Sequence, residues 1–503
     1  MNYTRTKILV ATALFVCCLI ALLTLQDHVL FYQEQHTLFL FTGDYFHSRP
    51  LLDWLSDFVV QFYHIPWLGA TITSLLLTAV YLLTEGIIGR LTGLRDWLQL
   101  GVIGAVGLYF TFDGVDETPR MLIAALLALL LMWLLSVAAG RFLPIFRPQR
   151  ALFKKHFSIF GLQLSIPFII SIVLTAAYIY GGLLWEMHDY NRPERAMVRA
   201  DRAVKAKDWD EVLAITDKYL STGRTNRLML YFRNIALAEK GVLLEHMFDF
   251  PLRPGVSALV FPWKGDSRDS EYGHLVHEVT GNLNAAHHWA FESMTSWGET
   301  APHLLDLARY NIAMGRPRVA QKFVDKLSHS LFYRDDAETL QRQIDGGEPP
   351  ELHYAWSGKQ EEKTRFINVY NPLRDLMEIV NADPDNHIAR QYLKAVLLAA
   401  NDQDALVTVL DKGATDPSAI EEAKLIYSLY PQSTPLDTLG LTLTQEVRDR
   451  FARFRALRSR PIEMEPQFGK SFWYYIYNYC PTGPNKRNSL PSDTIIPGAA
   501  LKH

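Results

Sequence analysis

The sequence has almost no cysteine. Its three cysteines are Cys17, Cys18 and Cys480. Cys17 and Cys18 are neighbours within an apolar run, where they are poorly placed to bridge each other, and Cys480 is alone near the C-terminus. Because no internal disulfide framework is available, the part of the chain that lies in water must be stable through its own hydrophobic core.

An excess of basic charge is also missing. Lys and Arg number 50 against 53 Asp and Glu, which gives a formal net charge of −3. Binding to nucleic acid would need a clustered basic face, and this balance gives no case for one. We therefore expect no nucleic-acid partner. No complete catalytic motif is present either, and we expect no cofactor.

Long apolar runs are confined to the first part of the chain. The last of them, Ser158 to Trp185, has no charged residue and is long enough to cross a hydrocarbon core of about 30 Å at about 1.5 Å per residue. Pro167 within it predicts a kink. The sequence predicts a transmembrane domain over residues 1–185, with five spans at about residues 8–25, 66–88, 97–112, 121–139 and 158–185.

The basic residues predict how these spans are oriented. Lys and Arg concentrate before the first predicted span, between the second and third, and between the fourth and fifth, whereas the other two loops are mainly acidic. The positive-inside rule then puts the N-terminus in the cytoplasm. Five crossings place everything after Trp185 on the outer side, which is the periplasm of a Gram-negative bacterium. We expect a multi-pass protein of the bacterial inner membrane, in contact with the lipid bilayer.

The first predicted outer loop ends in an amphipathic segment. Apolar residues recur along one side of residues 50–65, and polar residues that include Asp57 and His64 recur along the other. This pattern predicts a helix that lies on the outer surface of the membrane.

The same loop holds the best candidates for chemistry. Glu34, His36, Asp44 and His47 follow one another among aromatic residues. Multi-span transferases that act on lipid-linked sugars place a catalytic carboxylate in a loop at this position, and the chain is similar to them in that one respect. Asp44 or Glu34 is the candidate for a general base or a metal ligand. The alternative is that these acids are solvated or cap helices at the outer leaflet.

Helical periodicity and an internal repeat run through residues 186–480. Gly281 to Ala286 and Gly315 to Ala320 are the same phrase 34 residues apart, each a glycine turn that opens a helix with Ala at its sixth position. A period of 34 is that of tetratricopeptide repeats, in which two antiparallel helices form one unit. Looser echoes begin at Lys207 and at Asn401. Stacked units form a curved solenoid whose concave surface usually binds a protein, so we expect an envelope protein as partner.

The chain ends in an aromatic segment and a tail. FGKSFWYYIYNYC, residues 468–480, is predicted to dock on the last helices of the solenoid or on the membrane face. Residues 481–503 are predicted to form a flexible tail.

Several histidines in the repeat region raise the question of a metal site. His274, His277 and His287 lie at spacings that could hold zinc, but their order matches neither zinc-protease motif. We expect surface or inter-helix histidines rather than a metal centre.

The layout resembles a known family. Five N-terminal spans and a long outer helical-repeat domain, together with the phrases LFLFTGDYF (residues 38–46) and FWYYIYNY (residues 472–479), are similar to a family of uncharacterised integral membrane proteins of Bacteroidetes with a C-terminal tetratricopeptide-like domain. The resemblance implies an all-α fold, a five-span bundle followed by an extracytoplasmic solenoid, and carries no active site.

Two functions are compatible with this sequence. The first is an inner-membrane scaffold whose periplasmic repeat domain binds a protein in envelope assembly or secretion. The second is a membrane enzyme, or a subunit of one, that acts on lipid-linked saccharides at the outer leaflet. The absence of a complete catalytic constellation favours the scaffold.

Overall fold

The computed structural model is helical, with one two-stranded hairpin among the residues it describes, which are 3–92, 96, 98–112, 117–142, 156–159, 162–188, 193–263, 267–348, 350, 352, 371–413 and 416–481. Its contacts divide the chain into two compact units. The N-terminal unit comprises residues 1–198, 299–302 and 325–338, and the C-terminal unit comprises the rest. From residue 482 onward, the predicted tail lies outside the described residues.

The described residues between 3 and 188 form eight helices and the hairpin. In chain order they are α1 (Tyr3–Thr24), α2 (Asp27–Gln35), α3 (Gly43–Ser48), α4 (Leu51–Val60), α5 (Pro66–Thr92), α6 (Leu100–Tyr109), α7 (Arg120–Phe142), β1 (His156–Ile159), β2 (Leu162–Ser165) and α8 (Ile166–His188). Single 3₁₀ turns follow α4 at Gln61–His64 and α6 at Phe110–Phe112, and the two strands pair antiparallel.

Four of these helices are long and apolar enough to cross a membrane. They cover Thr4–Thr24, Pro66–Leu91, Arg120–Ala138 and Ile169–His188. The remaining apolar helix, α6, has 10 residues, which at about 1.5 Å per residue is about half of a hydrocarbon core. These helices indicate a multi-pass membrane protein.

Helix α6 nevertheless packs inside the bundle. A Cβ atom on Gly101 would lie 2.9 Å from the backbone oxygen of Tyr81 in α5, and one on Gly182 of α8 would lie 3.1 Å from the side chain of Val106. The absence of a side chain at these two glycines therefore lets α6 approach α5 and α8 closely.

The last membrane helix begins later than the hydropathy suggests. The predicted span starts at residue 158, but residues 158–159 and 162–165 lie in the hairpin and α8 begins at Ile166. Pro167 is the second residue of α8. In the first turn its missing N–H would have no partner within the helix, so the proline starts the helix rather than kinking it.

The predicted surface helix is present as α4 and the 3₁₀ turn after it, but only part of its polar side faces water: His64 is partly exposed, whereas Asp57 is not. Asp57 is buried and accepts hydrogen bonds from Arg49 Nη1 at 2.6 Å and from the Tyr45 hydroxyl at 2.8 Å. Leu51 at the start of α4 is 61% exposed. The charged and polar partners of Asp57 explain why the carboxylate faces the protein.

The remaining helices follow from residue 193 onward. They are α9 (Pro193–Lys205), α10 (Trp209–Leu220), α11 (Arg227–Glu239), α12 (Leu243–His246), α13 (Ser267–Tyr272), α14 (His274–Val279), α15 (Leu283–Trp297), α16 (Ala301–Ala313), α17 (Pro317–Leu327), α18 (Arg334–Gly346), α19 (Pro372–Ala382), α20 (His387–Ala399), α21 (Gln403–Thr408), α22 (Ser418–Ser428), α23 (Gln445–Leu457), α24 (Pro461–Phe468) and α25 (Phe472–Asn478), with a 3₁₀ turn at Gly255–Ala258.

Within the described residues of the C-terminal unit, one turn geometry connects successive helices at five places, and the same turn also ends α18 at Gly347. At each, the helix is followed by a short turn in which one residue is left-handed, with φ between 56° and 84°. The N–H of the next residue donates to the carbonyl five residues earlier, the bond that closes a helix end of the Schellman type. The five left-handed residues are Lys207, Gly241, Gly281, Gly315 and Asn401.

The residue after the left-handed one often starts the next helix as its N-cap. The side chains of Asp208, Asn282 and Asp402 each accept a hydrogen bond from the backbone N–H three residues on. Ala286 and Ala320, the shared sixth residues of the two repeated phrases, are both fully buried. The two phrases and both looser echoes therefore share one connection, built from a residue that tolerates positive φ followed in most cases by a capping side chain.

The aromatic segment near the C-terminus is part of the core of the C-terminal unit. Trp473 is fully buried, and its indole N–H donates to the Glu422 carbonyl in α22 at 3.0 Å. The backbone N–H of Phe472 donates to Glu422 Oε2 at 2.7 Å, and the Tyr475 hydroxyl donates to the Ala399 carbonyl at the end of α20 at 2.6 Å. Two docking sites are predicted for this segment. In the structure it packs on helices of the C-terminal unit, α20 and α22.

Candidate functional site

The two candidate acids, Glu34 and Asp44, have different surroundings. Glu34 lies near the end of α2 and is 4% exposed, whereas Asp44 lies in the short helix α3 and is exposed. His36 stacks on Tyr32, and His47 lies edge-on to Phe46. Within the described residues no hydrogen bond or ion pair joins Asp44 to Glu34. The loop therefore holds one buried and one exposed carboxylate rather than an acidic pair.

Glu34 is the centre of a buried polar cluster in the N-terminal unit. His64 Nδ1 lies 3.0 Å from Glu34 Oε1, and the Tyr333 hydroxyl donates to the same oxygen. Gln35 Nε2 donates to Glu34 Oε2 at 2.7 Å. Both oxygens of the carboxylate are thus engaged by donors of the protein itself, which is how a buried charge is made tolerable.

Aromatic rings enclose the histidine of this cluster. The His64 ring stacks on Phe332, with ring centroids 5.2 Å apart, and lies edge-on to Tyr333 at 5.0 Å. Nearby, the N–H of Phe41 donates to the His329 carbonyl at 3.0 Å. The segment 325–338 is therefore held in the N-terminal unit by the loop that carries Glu34.

The electrostatics of the cluster favour protonation of His64. The hydrogen bond to Glu34 raises the pKa of His64 above 6.5, outweighing the lowering by burial, and Asp336 adds to the rise. Burial beside Glu34 raises the pKa of the Tyr333 hydroxyl well above 10.0, so it remains a donor.

This arrangement can position an imidazole and accept or deliver a proton through it, since a carboxylate on Nδ1 fixes the orientation of the ring. Glu34 itself is poorly placed to act as a base on a bound molecule, because its two oxygens already accept three hydrogen bonds. The cluster is best described as a structural contact between Glu34, His64 and Tyr333. Its histidine side chain retains 36% exposure.

The raised pKa predicts a pH dependence of stability. The stabilisation from His64 is fully present below about pH 6.5 and is lost as the pH rises through the higher pKa of the folded state. His64→Gln keeps a donor for Glu34 but cannot titrate. We expect the melting temperature of the wild type to fall, relative to that of His64→Gln, as the pH rises above about 6.5. If the melting temperatures of the two proteins change in parallel with pH, the ion pair between His64 and Glu34 is contradicted.

The three histidines at zinc-like spacings each have their own neighbours. His274 Nδ1 lies 2.9 Å from the Tyr310 hydroxyl, the His277 ring stacks on Trp289 and the His287 ring stacks on Phe291. Burial lowers the pKa of His277 to about 3 and that of His287 to about 4, so both are neutral at physiological pH. Across the part of the chain that the structure describes, no three His, Cys, Asp or Glu side chains are grouped to hold a metal ion.

A second buried polar cluster surrounds His274 in the C-terminal unit. The Tyr310 hydroxyl donates to Glu278, and His274 Nε2 lies 3.8 Å from Asp306 Oδ2. Burial raises the pKa of the Asp306 carboxyl, although the nearby His274 and Arg309 act to lower it. These groups lie on α14 and α16 and link the two helices. In the chain, α14 precedes the turn at Gly281 and α16 precedes the turn at Gly315.

Sequence reasoning finds Glu34 and His64 but not the rest of the Glu34 cluster. The periodicity places His64 on the polar side of the surface helix and carries no sign of its pairing with Glu34. Tyr333 lies 299 positions from Glu34 in the sequence. The local signal is an aromatic pair, Phe332 and Tyr333, directly before α18, and such a pair is too common to indicate a site.

These features define a multi-pass membrane protein with a helical C-terminal unit and a polar cluster of Glu34, His64 and Tyr333. The chain belongs to the family of unknown function DUF6057, whose model matches residues 2–153 and 142–479. The match covers the membrane helices and the C-terminal unit, so both parts are features of the family. Searches of curated proteins and of solved structures find no match.

Proposed function

We propose that this protein is a scaffold of the bacterial inner membrane, and that its helical repeats bind a protein partner in envelope assembly or secretion. The observation that carries this proposal is the recurrence of one helix connection at Lys207, Gly241, Gly281, Gly315 and Asn401. A shared connection between successive helices is what a tetratricopeptide-like solenoid requires, and solenoids of this kind serve mainly as binding surfaces.

The proposal includes a periplasmic C-terminal unit, which requires five crossings. The distribution of Lys and Arg supports five, and the packing of Gly101 and Gly182 supports α6 as the central part of a short crossing rather than a helix outside the bundle. Cys480 tests this orientation, because it is partly exposed in the C-terminal unit. A membrane-impermeant maleimide applied from the periplasmic side should label it in intact inner membranes; labelling only after lysis would reverse the orientation.

The partner can be sought with the full-length protein. We expect purification in mild detergent from native membranes to retain one envelope protein in stoichiometric amount. Phe291 on α15 and Val319 on α17 are exposed apolar side chains on the helices that follow the two repeated turns. Phe291→Asp and Val319→Asp should release the partner, because a charge there opposes apolar contact without disturbing the core.

Leu429, exposed at the end of α22, provides the matched control for these changes. Leu429→Asp should leave the partner bound and the melting temperature unchanged. Recovery of a lipid-linked saccharide without any protein partner would contradict the scaffold and favour the enzyme.

The second candidate function is the membrane enzyme, and its one candidate base is Asp44. Its carboxylate is exposed in a helix of the first outer loop, as a base acting at the outer leaflet would be, whereas Glu34 is engaged by its own neighbours. The observation against it is that Asp44 has no histidine or second acid hydrogen-bonded to it within the described residues.

A further inference from the structure

The helical hairpin formed by α23 and α24 has an unusual concentration of arginine. Residues 445–468, which form this hairpin, contain six arginines, no lysine and four acidic residues, Glu446, Asp449, Glu463 and Glu465. The arginines are Arg448, Arg450, Arg453, Arg455, Arg458 and Arg460. The near-neutral charge of the whole chain conceals this local excess of basic residues.

One arginine of this set has a structural role. Arg450 donates to the buried carboxylate of Glu422 at 2.7 Å and lies over the ring of Trp473. Its charge is therefore used inside the C-terminal unit, and it does not belong to the exposed basic surface of the hairpin.

The others are exposed, and three of them gather where the hairpin turns. Arg455 lies in the last turn of α23, and Arg458 and Arg460 lie in the connection to α24. We call these three residues and Ile462 the arginine tip. The guanidinium of Arg458 lies 4.4 Å from the centre of the Tyr477 ring, and Arg460 Nη1 lies 3.5 Å from Glu463 Oε2 in an exposed pair. Exposed pairs of this kind are weak. The three arginines outnumber the two nearby acids of α24, Glu463 and Glu465, so the tip keeps a net positive charge.

The tip also presents a bare apolar side chain. Ile462, at the start of α24, is 90% exposed, more than any other large apolar side chain in the part of the chain that the structure describes. An isolated exposed isoleucine is common on protein surfaces, but this one follows Arg460 by two residues, with Pro461 between them and Glu463 next in the chain. Basic residues around a protruding apolar one are the combination that binds the boundary between lipid headgroups and acyl chains.

The residue type narrows the ligand further. Arginine binds phosphate oxygens through two parallel N–H donors, a geometry that lysine cannot provide. The chain carries its own membrane helices, so phospholipid headgroups are the phosphates it meets at high concentration. We propose that the arginine tip binds the phosphates of anionic phospholipids, with Ile462 inserted between the headgroups.

Vesicle binding by the full-length protein tests this proposal. The protein is placed in nanodiscs of phosphatidylcholine and mixed with sedimentable vesicles, made either of phosphatidylcholine or of phosphatidylcholine with about one third phosphatidylglycerol. We expect co-sedimentation with the anionic vesicles only, and weakening as salt is raised. Each arginine near an anionic surface contributes about a five-fold change in binding, so Arg455→Ala, Arg458→Ala and Arg460→Ala combined should weaken it roughly one hundred-fold.

Two further variants distinguish binding by the arginine tip from a general effect of the protein's net charge. Arg318, Arg342 and Arg374 are exposed elsewhere in the C-terminal unit, and their combined replacement by alanine removes the same charge; it should leave most of the binding. Ile462→Ser should weaken binding by a factor that does not change with salt. Equal binding to the two kinds of vesicle, or equal loss in the two triple variants, would overturn the proposal. So would a tip that binds heparin or an acidic protein but no vesicle.

Discussion

Replacing Trp473 by alanine is expected to destabilise the C-terminal unit by about 3–5 kcal/mol, the usual cost of removing a fully buried aromatic side chain. The ring is 0% exposed and lies against Phe451, Phe454 and Phe468, with ring centroids 5.0–6.4 Å apart. Alanine would leave a cavity among these rings and remove the indole donor to the Glu422 carbonyl.

The measurement is the melting temperature of the detergent-solubilised protein, followed by circular dichroism. A loss of this size should lower the temperature at which the C-terminal unit melts by roughly 10 °C. Ile462→Ala, on the neighbouring helix α24, provides the control, because its side chain is 90% exposed and its removal should leave the melting temperature unchanged. Equal melting of the two variants would mean that α25 is not docked as described.

Much of the fold could be predicted from periodicity. Runs of apolar residues indicate the four long membrane helices, and the glycine phrases at Gly281 and Gly315 indicate the helix connections, because positive φ and an N-cap are local requirements. Helix boundaries depend on more than hydropathy. The last predicted span begins too early because the apolar residues from 158 to 165 satisfy the composition of a span, while Pro167 is the residue that favours a helix start.

The candidate site could be predicted only in part, for a physical reason. Glu34 stands out in the sequence as an acid among aromatic residues, and the structure places it in a buried polar cluster. The donor that completes the cluster, Tyr333, comes from a segment that no periodicity connects to the first outer loop. Likewise, the average charge of the chain argues against a basic face, yet the arginines of α23 gather on one hairpin. Averages over a chain do not report where charges meet.

Asp44 and Glu34 are expected to respond differently to substitution, and the difference separates the two functions. Glu34→Gln should lower the stability of the N-terminal unit by about 1–2 kcal/mol, because it removes the charge of a buried carboxylate that pairs with the partly exposed His64 and disturbs the acceptor of Tyr333. Proteolysis within residues 325–338 should become faster, because this segment is held by the contacts of Tyr333 with Glu34 and of Phe332 with His64. Tyr333→Phe combined with Glu34→Gln should cost less than the sum of the two changes, because they share one hydrogen bond.

Asp44→Asn is the cleaner test of catalysis, since an exposed carboxylate in a six-residue helix contributes little to stability. In a scaffold, Asp44→Asn should leave both the melting temperature and the complementation of a deletion strain unchanged, while Glu34→Gln impairs complementation only as far as it destabilises the protein. In an enzyme that uses Asp44 as its base, Asp44→Asn should abolish complementation at full stability and normal abundance. Loss of function without loss of stability at Asp44 would therefore overturn the scaffold, because no binding surface formed by the helical repeats depends on that carboxylate.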